Sequence, residues 1–273
     1  MARAGGEGED LVTEPLKQGS PSDSYPENRQ DAEEFQVGGV ERTLPDELQL
    51  EQLVSYLEAT YDASAEQFLA LLPDRITHAA MLMLGSAVDH TMPGVAFPGA
   101  VRAAAHELGT VFTPSAPSGA WGISLFDGPP SAREHSWRPE VAGAAELSGA
   151  TILDLDAPAA LPAALAFARA QGAEAVAVWA FGAAAEALAG LTGPQDAQVD
   201  AVVLTFPTAL PELDGVPALV QVATRDEEAP TSWQLPGSAR LARYHSTHRI
   251  ATPAESRRRV RDVAEFLEQA LAR

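Results

Sequence analysis

The stretch Ala175-Val-Ala-Val-Trp-Ala-Phe-Gly-Ala, residues 175–183, decides the fold of this chain. Residues 175–179 are an apolar run that begins after the polar Glu174, which is typical of a strand buried on both faces of a sheet. A sharp turn and an alanine-rich helix from about Gly182 to Ala189 are predicted to follow. A strand that runs directly into a helix indicates a parallel sheet covered by helices.

The sequence on both sides of this stretch alternates between strand and helix patterns. Residues 115–148, which contain four prolines, resolve into no regular element. The remaining predictions are strands at 53–61 (with a helix over 48–57 as the alternative), 66–72, 79–84, 110–113, 151–156, 201–206 and 218–222, and helices at 97–109, 158–171 and from 253 onward. The order predicts an α/β protein: a three-layer α/β/α sandwich with a mostly parallel, twisted sheet of eight or slightly fewer strands.

Residues 1–45 differ in composition from the rest of the chain, being rich in Gly, Pro, Ser, Glu and Asp without periodicity. Such a segment buries too little apolar area to offset its ordering entropy, so it is predicted to be an acidic, flexible tail. Phe35, Val37 and Val40 are apolar islands that offer an alternative, an arm that orders on a partner. Residues 46–273 are predicted to form one domain.

Composition narrows the classes of function. The chain of 273 residues has a formal net charge of -20, which repels nucleic acids and anionic membranes. It has no cysteine, which removes thiolate nucleophiles and thiolate metal sites. Neither a secretory signal nor a membrane-spanning apolar run is present, so a cytoplasmic location is expected. His245 and His248, three residues apart, are a weak signal for a metal site, and neither a metal nor another cofactor is expected.

Three positions stand where chemistry is expected in a parallel sheet, just after strands or in the loop before the last helix. Ala180 follows the strand at 175–179, Asp226 follows the strand at 218–222, and His248 precedes the final helix. The order of elbow, acid and histidine is that of the α/β-hydrolases.

The same residues resemble the dienelactone hydrolase family over about residues 50–273. That family has an elbow close to Gly-Phe-Cys-Phe-Gly-Gly, an acid in Gly-x-x-Asp-x-x-x-Pro and a histidine in Tyr-x-Gly-x-x-His-x-Phe. The positions matched here are Val178 to Ala183 for the elbow, Ala223, Asp226 and Pro230 for the acid, and Tyr244, Ser246, His248 and Ile250 for the histidine. The resemblance implies an α/β-hydrolase fold, with Ala180 at the nucleophile position and Phe181 as the oxyanion donor.

Alanine at the nucleophile position changes the expected function, because a methyl group cannot form an acyl-enzyme. The first hypothesis is a protein that has lost this catalysis and serves as a binding or assembly component, for a small ester-like ligand or a protein partner. The alternative is an active carboxylester or lactone hydrolase. It would use a displaced nucleophile such as Ser86, Thr91 or Ser246, or a water molecule activated by His248. Ala180→Ser or Ala180→Cys is expected to restore part of the activity if Asp226 and His248 are aligned.

Overall fold

The computed structural model describes residues 45–60, 101–191 and 199–272. Within these ranges eight strands form one sheet, in the order β1-β2-β4-β3-β5-β6-β7-β8. The strands are β1 (Arg102–His106), β2 (Gly109–Thr113), β3 (Trp121–Leu125), β4 (Thr151–Leu155), β5 (Val176–Phe181), β6 (Ala201–Thr205), β7 (Ala218–Ala223) and β8 (Ala239–Tyr244).

Helices connect these strands and cover both faces of the sheet. Four helices longer than two turns occur in the described part: α1 (Asp46–Thr60), α2 (Arg138–Ser148), α3 (Leu161–Ala170) and α4 (Pro253–Leu271). A short α-turn (Pro130–Ala132) and a π-helical turn (Arg133–Trp137) lead into α2, and a 3₁₀ segment (Gly182–Leu188) follows β5.

Strands β3 to β8 pair in parallel, while β1 and β2 join the edge of the sheet in antiparallel fashion. The mostly parallel three-layer sandwich predicted from the sequence is confirmed, with β5 near the middle of the sheet. Successive β5 side chains alternate between two core clusters. Val178 belongs to the cluster that includes α3, and Trp179 belongs to the cluster that includes α2 and α4.

Two sequence predictions in the first half of the domain are wrong. The predicted strand at 53–61 is helical as far as it is described, since α1 spans Asp46–Thr60, so the alternative of a helix there was the better one. The predicted helix at 97–109 is, from Arg102 onward, the β1–β2 hairpin. The alanines of this stretch do not define one apolar face, so the sequence pattern does not distinguish a helix from a strand. The predicted strand at 110–113 is confirmed as part of β2.

The stretch at 115–148 that resisted interpretation contains β3 and the helical turns that lead into α2. Strand β8 was not predicted, because its polar and apolar residues are half-buried at the sheet edge and give a weak pattern. The predicted strands at 66–72 and 79–84 and the predicted tail at 1–45 lie outside the described residues, apart from residue 45. No described helix has the length and apolar character needed to cross a membrane.

Gly109 at the β1–β2 turn is expected to be intolerant of any side chain. Its φ is +153°, and a Cβ there would overlap the Asp154 carbonyl oxygen and lie 2.9 Å from the carbonyl carbon. We expect Gly109→Ala to lower the free energy of unfolding by about 2 kcal/mol or more, because backbone atoms of β4 would have to shift. Urea denaturation measures the loss. Gly237→Ala is the control, since a Cβ there meets nothing within 4 Å, and an equal loss in both variants would contradict this interpretation.

Candidate active site

The carboxyl ends of the parallel strands bring five residues from distant parts of the sequence to one edge of the sheet. Asp127 follows β3, Gly182 follows β5, Phe206 follows β6, Asp226 follows β7 and His248 follows β8. Ligands of open α/β sheets bind at this edge.

The sharp turn after β5 lies at Gly182. The strand continues to Phe181, and Gly182 has a φ of +59°, a conformation that residues with a Cβ rarely adopt. Ala180 is an ordinary strand residue with 0% exposure, packed in the core cluster of Val178 and Leu204. The prediction that the turn lies at Ala180 is therefore wrong by two residues.

This shift also moves the expected oxyanion donor, which is the N–H of the residue after the turn position. Phe181 is still in the strand and pairs with Thr205 of β6, so its place does not fit that role. Its ring contacts His248 instead, with 5.1 Å between the ring centroids. The residue after the turn is Ala183, and its N–H donates to Oδ2 of Asp127 at 2.6 Å.

The carboxylate of Asp127 occupies the space next to Gly182. A Cβ added at residue 182 would overlap Oδ2 of Asp127 and would lie 2.9 Å from its Cγ. The partial loss of water around this carboxyl raises the pKa of Asp127, while the Ala183 N–H and the charge of His248 offset part of the rise. A side chain from the loop after β3 thus fills the place in front of the turn.

Asp226 and His248, which the sequence predicts as acid and histidine, lie in contact. His248 Nδ1 is 3.0 and 3.1 Å from the two Asp226 carboxylate oxygens, and the Asp226 side chain has 0% exposure. Asp226 Oδ1 also accepts the backbone N–H groups of Glu228 and Ala229, which hold the carboxylate in the loop. A carboxylate on Nδ1 fixes the ring orientation and leaves Nε2 for chemistry.

Two further acidic residues surround His248. Both are exposed, and each also contacts the histidine. Glu227 accepts the backbone N–H of His248 at 3.0 Å, and Glu228 Oε2 lies 3.7 Å from His248 Nε2. Glu228 forms an ion pair with Arg249.

A cavity of about 230 Å³ opens beside these residues and is lined by both Asp127 and His248. Glu140 of α2 and Arg259 of α4 form an ion pair in its wall, and each is only 8% exposed. Burial raises the pKa of Glu140, and the facing Arg259 guanidinium offsets part of this rise.

A chain of buried hydrogen bonds fixes the strands beneath the site. The Trp179 Nε1–H donates to Thr205 Oγ1, and the Thr205 hydroxyl donates to Gln221 Oε1. The Gln221 amide donates to Tyr244, and the Tyr244 hydroxyl donates to Asp262 of α4. One residue from each of β5, β6, β7 and β8 takes part, so the strands that carry the site are tied to each other and to α4.

The sequence matches no protein-family model and no curated protein. Many solved structures are similar in fold. An esterase of the bacterial hormone-sensitive lipase family has a TM-score of 0.51 at 14% identity, covering 84% of this chain and 100% of that one. A structure of arylesterase has a TM-score of 0.54 at 12% identity, and a hormone-sensitive lipase from a metagenome library has 0.52 at 12%; each covers 84% of this chain and 99% of the other.

The chain has the α/β-hydrolase fold. In this fold the strand-to-helix turn after the central strand carries the nucleophile. In this chain Gly182 lies at the turn after β5.

The nucleophiles considered as replacements do not reach the site as far as they are described. Ser246 is 1% exposed and is not among the residues that line the cavity. Ser86 and Thr91 lie outside the described residues. In the described part of the chain, no group of three His, Asp or Glu residues is arranged to hold a metal ion.

Sequence reasoning missed Asp127, Glu140 and Arg259 as members of the site of this α/β-hydrolase fold. Asp127 follows the undetected strand β3, and Glu140 belongs to the stretch that showed no periodicity. The stretch Trp121-Gly-Ile-Ser-Leu-Phe, followed by Asp127-Gly-Pro-Pro, was the available signal, since a polar residue after a strand marks this edge of a parallel sheet.

Proposed function

We propose that this protein has lost the acyl-enzyme catalysis of α/β-hydrolases and uses the former active-site cavity as a binding site, as a binding or assembly component. One observation carries the proposal: the turn that would present a nucleophile holds Gly182, and the Asp127 carboxylate occupies the adjoining space. Covalent acyl transfer requires a hydroxyl or thiol at this point, and glycine has neither.

The place of the oxyanion donor supports the same proposal. The Ala183 N–H, which corresponds to the donor that stabilises a tetrahedral intermediate, is bound to Asp127. A substrate carbonyl would have to displace this carboxylate and would then lie beside its negative charge. Removing a single oxyanion donor costs roughly 10²–10³-fold in kcat.

The Asp226–His248 contact favours a second candidate, an esterase or lactonase in which His248 activates a water molecule. The oxyanion donor argues against this second candidate. The Ala183 N–H, which would bind the substrate carbonyl, already donates to Asp127. The finer resemblance to dienelactone hydrolases also stays a proposal. With Gly182 as the turn residue, their elbow motif aligns with residues 180–185, which read Ala-Phe-Gly-Ala-Ala-Ala.

The test is hydrolysis of p-nitrophenyl acetate and of a lactone such as dihydrocoumarin by the full chain and by His248→Ala. We expect no turnover above that of buffer in either protein. Robust turnover by the unaltered protein that disappears in His248→Ala would refute the loss of catalysis and establish the water-activating hydrolase.

A further inference from the structure

The cavity beside His248 has a small volume and is lined by both aromatic and charged side chains. Three aromatic side chains line it, Phe126, Trp137 and Phe181, whose ring centroids lie 5.2–5.5 Å apart. Phe181 is only half-buried, so part of its ring remains accessible. The volume of about 230 Å³ is many times the ~10–15 Å³ that a single water molecule requires, so the cavity has room for a small organic molecule.

The charges around the cavity do not cancel. Arg259 is paired with Glu140, and Arg249 is paired with Glu228. No arginine or lysine of the described ranges forms an ion pair with Asp127, whose exposed carboxylate accepts the Ala183 N–H. His248 also lies at the cavity, but its Nδ1 already faces the Asp226 carboxylate. Counted over the residues that the structure describes, the cavity therefore keeps an excess of negative charge at Asp127.

We propose that this cavity binds a small organic ammonium ion, with the charged nitrogen at Asp127 and the hydrocarbon part against the partly exposed ring of Phe181. This inference rests on the proposed function, because it names the ligand class of the same site. A carboxylate and an aromatic ring that line the same cavity favour a cation, since the π-system carries negative charge on its face. The net charge of -20 adds long-range attraction for cations.

An anionic ligand fits the same residues less well. Both arginines of the wall are already neutralised by glutamates, and an incoming anion would meet the charge of Asp127. A neutral ester would find the Ala183 N–H occupied. A cationic ligand is favoured over both because its charge would neutralise that of Asp127.

The experiment is isothermal titration calorimetry of the full chain at about pH 8 with benzylammonium, benzyl alcohol and benzoate, which share one ring and differ in charge. We expect benzylammonium to bind at least about tenfold more tightly than benzyl alcohol, a factor that corresponds to one ion pair in a partly desolvated site, and benzoate to bind most weakly. Asp127→Asn should weaken benzylammonium binding by about the same factor. Asparagine keeps an acceptor for the Ala183 N–H, so this variant is expected to fold.

Asp214→Asn is the matched control, since Asp214 is exposed in a turn and does not line the cavity. It should leave the affinity unchanged. Affinity in the unaltered protein should also fall on acidification, beginning above the range of an ordinary aspartate, because the pKa of Asp127 is raised. Benzoate binding more tightly than benzylammonium, or an Asp127→Asn variant with unchanged affinity, would overturn the inference.

Ester hydrolysis measured on the same preparations separates this inference from the proposed function. A protein without turnover that binds no ammonium ion would refute the ligand class and leave the loss of acyl-enzyme catalysis in place. A protein that turns over esters would refute the proposed function, whatever its affinity for benzylammonium.

Discussion

Gly182→Ser combined with Asp127→Gly is expected to hydrolyse p-nitrophenyl acetate at least about 10²-fold faster than the unaltered protein, whereas Gly182→Ser alone is expected to remain near background. The single variant places a Cβ where it overlaps the Asp127 carboxylate and leaves the Ala183 N–H occupied. The second substitution removes both obstacles. Because nucleophile, histidine and acid act as a unit, the rate should rise only when all parts are present together.

The measurement is kcat/KM for the two variants and for the double variant carrying His248→Ala, which should return to background. Ala180→Ser with Asp127→Gly is the matched control. It adds the same hydroxyl at a position with 0% exposure in the core, where it cannot reach a substrate. If the folded Gly182→Ser, Asp127→Gly protein neither turns over esters nor reacts with a fluorophosphonate probe, Gly182 does not hold the nucleophile position.

The fold was predictable because strong apolar runs alternate with helical patterns along the second half of the chain. Two of these runs are fully buried in strands, Val176 to Trp179 and Ala201 to Thr205. A strand buried on both faces is continuously apolar, so it can be recognised without an alternation of apolar and polar residues. The half-buried strand β8 and the alanine-rich β1 carry no such signal. Their pairing depends on neighbours that are distant in the sequence.

The pair Asp226–His248 was predictable because Asp226 follows the predicted strand at 218–222 and His248 lies in the loop before the last helix, which is the order of acid and histidine in α/β-hydrolases. The turn was misplaced because Ala180 and Phe181 continue the apolar run, and the last residue of a strand is not marked by composition alone. Gly182, which has a positive φ, marks the position of the turn. A glycine marks a turn in the sequence only where the turn needs a backbone conformation that other residues rarely adopt. Asp127 reaches the site through a hydrogen bond across 56 positions of sequence, which local patterns do not encode.

Removing one member of the buried pair Glu140–Arg259 is expected to have the largest effect on stability, about 3–5 kcal/mol of unfolding free energy for Glu140→Ala or Arg259→Ala. The pair joins α2 to α4 across 119 positions of sequence, and both side chains are about nine-tenths buried. Each single variant leaves an uncompensated charge out of water. The double variant Glu140→Leu with Arg259→Met should lose far less unfolding free energy, because two apolar side chains of similar volume need no ion-pair partner.

Urea denaturation of the three proteins decides between the outcomes, with Arg258→Ala as the control for a more exposed ion pair on the same helix. Equal losses for the single and double variants would show that packing of the side chains, and not the charge pair, holds α2 against α4.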